Sequence, residues 1–237
     1  MTIPLLPDTD LARIAPLPED MKRSALRRMR AGRPGFSYRH VRACFNDLFN
    51  IQSAMFGSVA ATPFEKIEER LLRSCKAGEE FTNNLRIAKA LHAFTSSTGV
   101  VGRHHDFFPM PMSMGRKVTF WLPMVLAIDE EPYTVFIDPR SGSGLTELGR
   151  RFVFSMMHER IRAADEDFAD VNLGIIRFVN HEDGDRSARL YNATEVPLYS
   201  LEELETMVAS TYRMWQEICE ERTAETRRKG TGTGGLF

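Results

Sequence analysis

The apolar residues of the chain follow two different periods, and the change comes near Gly99. Before Gly99 they recur every three or four positions, which predicts amphipathic helices. Proline, serine, threonine and glycine at the ends of these patterns supply the start and stop signals of helices. The predicted helices cover residues 18–32, 37–56, 62–78 and 79–97. In the second of them, Met55 and Phe56 are assigned to the buried face.

After Gly99, short runs rich in β-branched and aromatic residues alternate with polar turns, which predicts strands. A helix is predicted over residues 146–163, and Ser200 and Glu203 form a capping box that opens a long C-terminal helix. The predicted strands are Asp106–Met112, Val118–Ile128, Tyr133–Asp138 and Leu173–Val179, with a further short one over residues 188–191. The order from Glu79 onward, αβββαβ, predicts an α+β fold with a central mixed β-sheet flanked by helices.

Composition changes this picture little, because 43% hydrophobic and 27% charged residues are ordinary for a globular protein. We predict a single α/β domain over residues 36–222, an N-terminal arm and basic helix over residues 1–35, and a disordered tail over residues 223–237. The three cysteines are scattered, and no apolar run is long enough for a signal peptide or a membrane span. These observations predict a cytoplasmic protein without a membrane partner.

Although the net charge of the chain is −1, the region between Asp20 and Asp47 is strongly basic. It contains no acidic residue. Such a local field can hold a phosphate backbone, so DNA or RNA is a predicted partner. Two alternatives are a solvated helix face and a patch that docks on acidic surface of the chain itself, such as Glu65–Glu69. The predicted nucleic-acid-binding residues are Lys22, Arg23, Arg27, Arg28, Arg30, Arg33, Arg39 and Arg42.

The apolar run Tyr133–Asp138 ends in an acid and a base two positions apart, Asp138 and Arg140. The turn that follows, Ser141–Gly144, leads into a helix whose N-terminus can bind an anion. Because the turn lacks the lysine of a P-loop, a plain strand-to-helix connection is the favoured interpretation.

The αβββαβ order and the acid at the end of its third strand resemble the PD-(D/E)XK nuclease-like superfamily. The resemblance implies a Mg²⁺ site and hydrolysis of phosphodiesters. It assigns catalytic roles to Asp138, Arg140 and Glu80, and metal binding to Asp138, Glu80 and Asp106. Arginine stands where the family has lysine, and the preceding strand has no acid, which predicts a catalytically degenerate site. A strand-end ion pair or turn cap is the favoured alternative for Asp138 and Arg140.

The C-terminus ends in Gly234-Gly235-Leu236-Phe237 after a flexible segment. Similar Leu-Phe endings occur in sliding-clamp-binding peptides, but the glutamine that precedes them there is missing here. Chance is the stronger explanation.

The sequence therefore predicts a nucleic-acid-associated protein with a nuclease-like core, which hydrolyses phosphodiesters with Mg²⁺ if it is active. Whether it is an enzyme stays open. The alternative is a non-catalytic protein-interaction or regulatory protein. Its methionine-rich and aromatic faces would support a homo-oligomer, and its basic arm would dock on an acidic partner.

Overall fold

The computed structural model describes residues 4–29, 37–52, 60–112, 116–140 and 144–230. Within these ranges, five strands form one mixed sheet, and helices cover both of its faces. The predicted α+β class with a central mixed sheet flanked by helices is confirmed.

Seven strands occur in the described residues. In chain order they are β1 (Val101–His104), β2 (Met110–Met112), β3 (Arg116–Val118), β4 (Met124–Ile128), β5 (Glu131–Asp138), β6 (Asn172–Asn180) and β7 (Arg186–Asn192). The main sheet has the spatial order β1-β4-β5-β6-β7, in which β5 and β6 are parallel and the other neighbours are antiparallel. β2 and β3 form a separate antiparallel ribbon. β1 and β7 are therefore the two edges of the sheet.

β5 lies at the centre of the sheet, and its last six side chains are all buried. Successive side chains of a strand point to opposite faces. Accordingly Val135 and Ile137 pack into one hydrophobic cluster, and Phe136 packs into the other. A continuous apolar run is what a strand covered on both faces needs, so the sequence pattern and the position agree.

One face of the sheet is covered by four helices. They are α1 (Asp8–Ile14), α2 (Glu19–Arg28), α7 (Glu147–Met157), which continues as a π-helical turn over His158–Arg162, and α8 (Leu201–Gly230). A 3-10 turn at Glu166–Phe168 follows the π-helical turn. The predicted capping box opens α8: the Ser200 N–H donates to the Glu203 carboxylate at 2.7 Å, and the Glu203 N–H donates to the Ser200 hydroxyl at 3.2 Å.

The other face is covered by α3 (Arg39–Arg42), α4 (Phe45–Leu48), α5 (Phe64–Ser74) and α6 (Glu79–Ser97). Phe49, Leu71, Ile87 and Leu91 are fully buried in this layer. The parallel connection from β5 to β6 passes through α7 on the opposite face, as a crossover between parallel strands requires.

The helix predicted over residues 37–56 is wrong in its extent. The chain forms two short helices that end at Leu48, and Ile51 then makes a parallel bridge to Gly102 on the edge strand β1. A Cβ on Gly102 would overlap the end of the Ile51 side chain and lie 3.2 Å from the Phe49 carbonyl oxygen, so glycine eases this close approach. The missed strand β1 carries too few apolar residues for an apolar run to reveal it.

The predicted three-part division of the chain stays a prediction. α1 and α2 share one core cluster with α7 and α8. The Trp215 indole N–H also donates to the Pro4 carbonyl at 2.9 Å. α8 is helical as far as Gly230, and the last seven residues, 231–237, lie outside the described residues. In the described ranges, no helix is both long and apolar enough to cross a membrane.

Candidate interaction surfaces

The acid and the base predicted at the end of β5 have separate structural roles. Asp138 is fully buried, and its two oxygens accept hydrogen bonds from the backbone N–H groups of Arg140 (3.3 Å) and Leu145 (2.8 Å). The Arg140 guanidinium forms an ion pair with Asp10 of α1 at 2.7 Å. Asp138 therefore closes the turn between β5 and α7, and Arg140 attaches α1 to that turn.

The other two predicted metal ligands lie in different surroundings. Glu80, at the start of α6, accepts hydrogen bonds from the N–H groups of Lys76 (2.9 Å) and Ser37 (3.2 Å), which lower the pKa of its carboxyl group. Asp106 is exposed between β1 and β2. Among the described residues, no three histidine, cysteine, aspartate or glutamate side chains form a group that could hold a metal ion, so Asp138, Glu80 and Asp106 are not brought together.

Three of the predicted nucleic-acid-binding residues on α2 face α8. The Lys22 ammonium is buried and donates to the Ser210 hydroxyl at 2.7 Å. Arg23 forms an ion pair with Glu217 at 2.7 Å, and Arg27 forms one with Glu221 at 3.2 Å. Burial is the main cause that lowers the pKa of Lys22.

The remaining predicted residues of the basic region are spread over other contacts. Arg42 forms an ion pair with Asp8 at 3.8 Å, and Arg39 donates to the ring of its neighbour His40 at 3.3 Å. Arg28 is exposed, and Arg30 and Arg33 lie outside the described residues. Three of the eight predicted residues, Arg23, Arg27 and Arg42, thus pair with acids of the chain itself, and these acids come from α8 and α1 rather than from Glu65–Glu69.

A cavity of about 470 Å³ lies between the ribbon and α8. Met110 and Pro111 line it from β2, and Leu204, Val208 and Ala209 line it from α8. Glu205 and Thr206 of α8 also line it, so the lining is partly polar. The volume is within the range of small-ligand pockets.

Sequence reasoning missed the contact between α2 and α8. Lys22 and Ser210, which form its buried hydrogen bond, are 188 positions apart. The available signal was the pattern of α8 itself, where Glu217 and Glu221 lie one helical turn apart and can face a second helix.

Two comparisons with known proteins give a consistent result. A sequence model of the SocB family, described as the sliding clamp-binding bacterial toxin SocB, matches residues 9–225. The DNA replication inhibitor toxin SocB of Caulobacter vibrioides (strain NA1000 / CB15N) is 35% identical over 227 residues, which are 96% of this chain and 95% of that protein. No solved structure matches the chain.

These matches correct the functional predictions. The resemblance to PD-(D/E)XK nucleases is wrong, because the family that matches almost the whole chain is one of clamp-binding toxins. The main prediction of a nuclease-like, DNA-binding protein is wrong for the same reason. The conditional Mg²⁺ requirement had no other basis. The alternative prediction of a protein-interaction or regulatory protein agrees with a family described by its binding to a protein, the sliding clamp.

Proposed function

Because the chain belongs to the SocB family of sliding clamp-binding bacterial toxins, we propose that it binds a bacterial sliding clamp and thereby inhibits DNA replication. The observation that carries this proposal is the family match over residues 9–225. It is supported by the 35% identity to a DNA replication inhibitor toxin, which extends over 96% of this chain. A protein with this activity would act in the cytoplasm, where bacterial DNA is replicated.

We further propose that residues Gln52–Phe56 dock on the clamp. The sequence Gln52-Ser53-Ala54-Met55-Phe56 contains the glutamine, the large apolar residue and the phenylalanine that resemble a sliding-clamp-binding peptide. Methionine replaces leucine in this segment, and these two side chains exchange with little change in volume.

The C-terminal Leu236-Phe237 is the competing segment, and two observations favour residues 52–56 over it. Thr233 stands three positions before Leu236, where Gln52 stands relative to Met55. Residues 52–56 also fall inside the range that the family model matches, whereas residues 233–237 fall beyond its end at residue 225.

The described residues on either side of this segment are attached to the fold. The Gln52 N–H donates to the Gly102 carbonyl at 2.8 Å, and the Gly102 N–H donates to the Asn50 carbonyl at 3.3 Å, which places Gln52 at the edge strand β1. Beyond the segment, the Thr62 hydroxyl donates to Asp47 at 3.0 Å. Residues 53–59 themselves lie outside the described residues. A docking segment with both ends fixed loses less conformational freedom when it binds.

The test is surface plasmon resonance between the purified full chain and a purified bacterial sliding clamp. The double variant Met55→Ala/Phe56→Ala is expected to bind at least roughly thirtyfold more weakly, because truncation of a buried apolar anchor costs about 2 kcal/mol or more. The matched control, Leu236→Ala/Phe237→Ala, removes the same kind of side chains at the C-terminus and is expected to bind like the wild type.

Three outcomes overturn part of the proposal. Absence of binding by the wild type overturns clamp binding itself. Loss of binding only in the C-terminal variant moves the docking segment to the tail and leaves clamp binding intact. Unchanged binding by both variants excludes both segments. In bacteria that express the protein, incorporation of labelled thymidine should fall with the wild type and not with Met55→Ala/Phe56→Ala.

A further inference from the structure

At the β1 edge of the sheet, apolar side chains of three neighbouring strands lie side by side on one face. Val101 of β1 and Pro132 of β5 are both register partners of Ala127 on β4, so these three residues form one row across the sheet. In the next row, Arg103 of β1 is the register partner of Val125 on β4. We call these five residues the β1 shelf.

The alternation of side chains along β4 shows to which face the shelf belongs. Leu126 and Ile128 pack into the hydrophobic cluster that α3, α4, α5 and α6 cover. Val125 and Ala127 alternate with them and therefore point to the opposite face, the one that α1, α2, α7 and α8 cover elsewhere. Their register partners on β1 and β5 lie on that same face.

The shelf is apolar and open to solvent. Val101 is 39% exposed, and Arg103 and Pro132 are exposed as well. Val125 and Ala127 are partly buried, but among the described residues neither packs against one of the two hydrophobic clusters. Contiguous exposed apolar side chains with a charged residue at their rim are typical of a protein–protein contact.

The shelf adjoins the end of the proposed docking segment that is fixed to the fold. Ile51 makes a parallel bridge to Gly102 of β1, and the Gln52 N–H donates to the Gly102 carbonyl at 2.8 Å. The Ile51 side chain packs against the cluster on the far side of the sheet, so the next residue, Gln52, lies on the face of the shelf. Gln52 and Arg103 directly follow the two bridge partners, which makes them neighbours at the rim of the shelf.

We propose that the β1 shelf is a second contact surface for the sliding clamp, which covers Val101, Val125 and Ala127 when it binds the docking segment. This inference rests on the proposed function. Continuity determines the choice of partner, because a clamp that holds the segment beginning at Gln52 lies against this edge of the sheet and on this face. The part of the clamp that meets the shelf is apolar, as the side chains that it covers are.

The two contacts support each other because the fold presents them together. Backbone hydrogen bonds fix Gln52 to β1, so a clamp bound to the segment is held close to the shelf. The second contact then forms at a high effective concentration and slows dissociation of the complex.

The test is surface plasmon resonance between the full chain and a purified bacterial sliding clamp, with charges of both signs placed on the shelf. Val101→Lys and Val101→Glu are each expected to bind at least about tenfold more weakly, because a charge covered by an apolar surface loses its hydration without gaining a partner. Leu148→Lys and Leu148→Glu are the matched controls. Leu148 of α7 is 41% exposed, close to the 39% of Val101, and both control variants should bind like the wild type.

Folding is checked by thermal denaturation of each variant. Charged side chains are common on exposed edge strands, so the Val101 variants should melt close to the wild type. If one of them melts clearly lower, Val101→Thr replaces it. Threonine keeps the branched shape of valine, and this variant is expected to bind at least about threefold more weakly.

The outcomes separate the shelf from the docking segment. Wild-type or tighter binding by any folded Val101 variant overturns the shelf contact, and so does an equal loss in the Leu148 variants. Weaker binding by Met55→Ala/Phe56→Ala would still support the docking segment in either case. If the wild type does not bind the clamp, both proposals fail. A wild-type dimer that Val101→Lys converts into a monomer, measured by light scattering, would assign the shelf to a second copy of the chain and overturn the proposal.

Discussion

Two basic regions of this molecule use their charge in opposite ways. On α2, Lys22, Arg23 and Arg27 reach polar or acidic side chains of α8 at 2.7, 2.7 and 3.2 Å. At the β7 edge, Arg177 and Arg189 oppose each other in the register and have no ion pair in the described part of the chain. The helix that looks most basic in the sequence is thus the one whose positive side chains mostly have polar or acidic partners within the fold.

The difference follows from how the charges are distributed along the chain. The positive side chains of a dense basic segment such as α2 repel one another unless another element supplies acidic side chains. In this fold α8 supplies them. Arg177 and Arg189 come from two separate strands, and neither segment looks basic in the sequence. Only the register of the sheet brings them together.

The largest effect is expected where a side chain of α8 closes the end of α2. The Arg222 guanidinium donates to the carbonyls of Arg27 at 2.9 Å and Met29 at 2.8 Å and lies 5.5 Å from the Trp215 ring centroid. Arg222→Ala leaves these helix-end carbonyls without that donor, so it should lower the free energy of unfolding by about 2 kcal/mol. Urea denaturation measures this change.

Arg213→Ala is the matched control, because Arg213 is an exposed arginine of α8 with a 3.8 Å ion pair to Glu19. Its loss should cost a few tenths of a kcal/mol. If Arg222→Ala is as stable as Arg213→Ala, the attachment of α2 to α8 does not depend on the contacts described above.

The centre of the fold could be predicted from the sequence because its signals are local. Tyr133–Asp138 is an apolar run with a turn at each end, and α8 begins at its own capping box. The strand β2 falls within the predicted strand Asp106–Met112, but β1 was not predicted, and the predicted strand Val118–Ile128 contains the end of β3 and all of β4. β1, β2 and β3 are three or four residues long, and their pairing depends on contacts distant in the chain.

The second prediction concerns the buried ammonium of Lys22. Burial lowers the pKa of Lys22 below its ordinary value of 10.5, so the folded chain releases this proton at a pH where the unfolded chain still holds it. Unfolding then takes up a proton, and stability should rise with pH in the window between the lowered pKa and 10.5. Lys22→Met should remove this rise and change the stability at neutral pH by no more than about 1 kcal/mol.

The measurement is thermal or urea denaturation of wild type and variant at several pH values between neutral and strongly alkaline. The difference between the two proteins isolates Lys22 from other groups that titrate there. Lys66→Met, which replaces an exposed lysine of α5, should keep the wild-type pH profile. Parallel profiles for Lys22→Met and the wild type would contradict the assigned burial effect.

The candidate site was harder to predict than the fold, for physical reasons that particular residues show. The hydrogen bonds of Asp138 agree with the turn cap that was the favoured alternative for it, but the same acid-turn-helix pattern suits a metal ligand equally well. Helical periodicity placed Met55 and Phe56 on the buried face of a helix, which concealed the resemblance of Gln52–Phe56 to a clamp-binding peptide. The pattern of Gln52, Met55 and Phe56 involves three residues, so it carries less weight in a sequence than a helical periodicity. It became noticeable only once the family match was known.

The smallest effects distinguish the two basic regions by the sign of their response to salt. Arg23→Gln/Arg27→Gln removes two surface attractions and should lower the free energy of unfolding by less than about 1 kcal/mol. Arg189→Gln removes a repulsion and should leave the free energy of unfolding unchanged or raise it by a few tenths of a kcal/mol.

Salt screens both interactions. Added sodium chloride should therefore reduce the stability advantage of the wild type over the α2 variant, and should reduce any stability advantage of Arg189→Gln over the wild type. Urea denaturation at low and high salt measures both differences. If the two variants respond to salt with the same sign, then Arg189 is neutralised within the fold as Arg23 and Arg27 are.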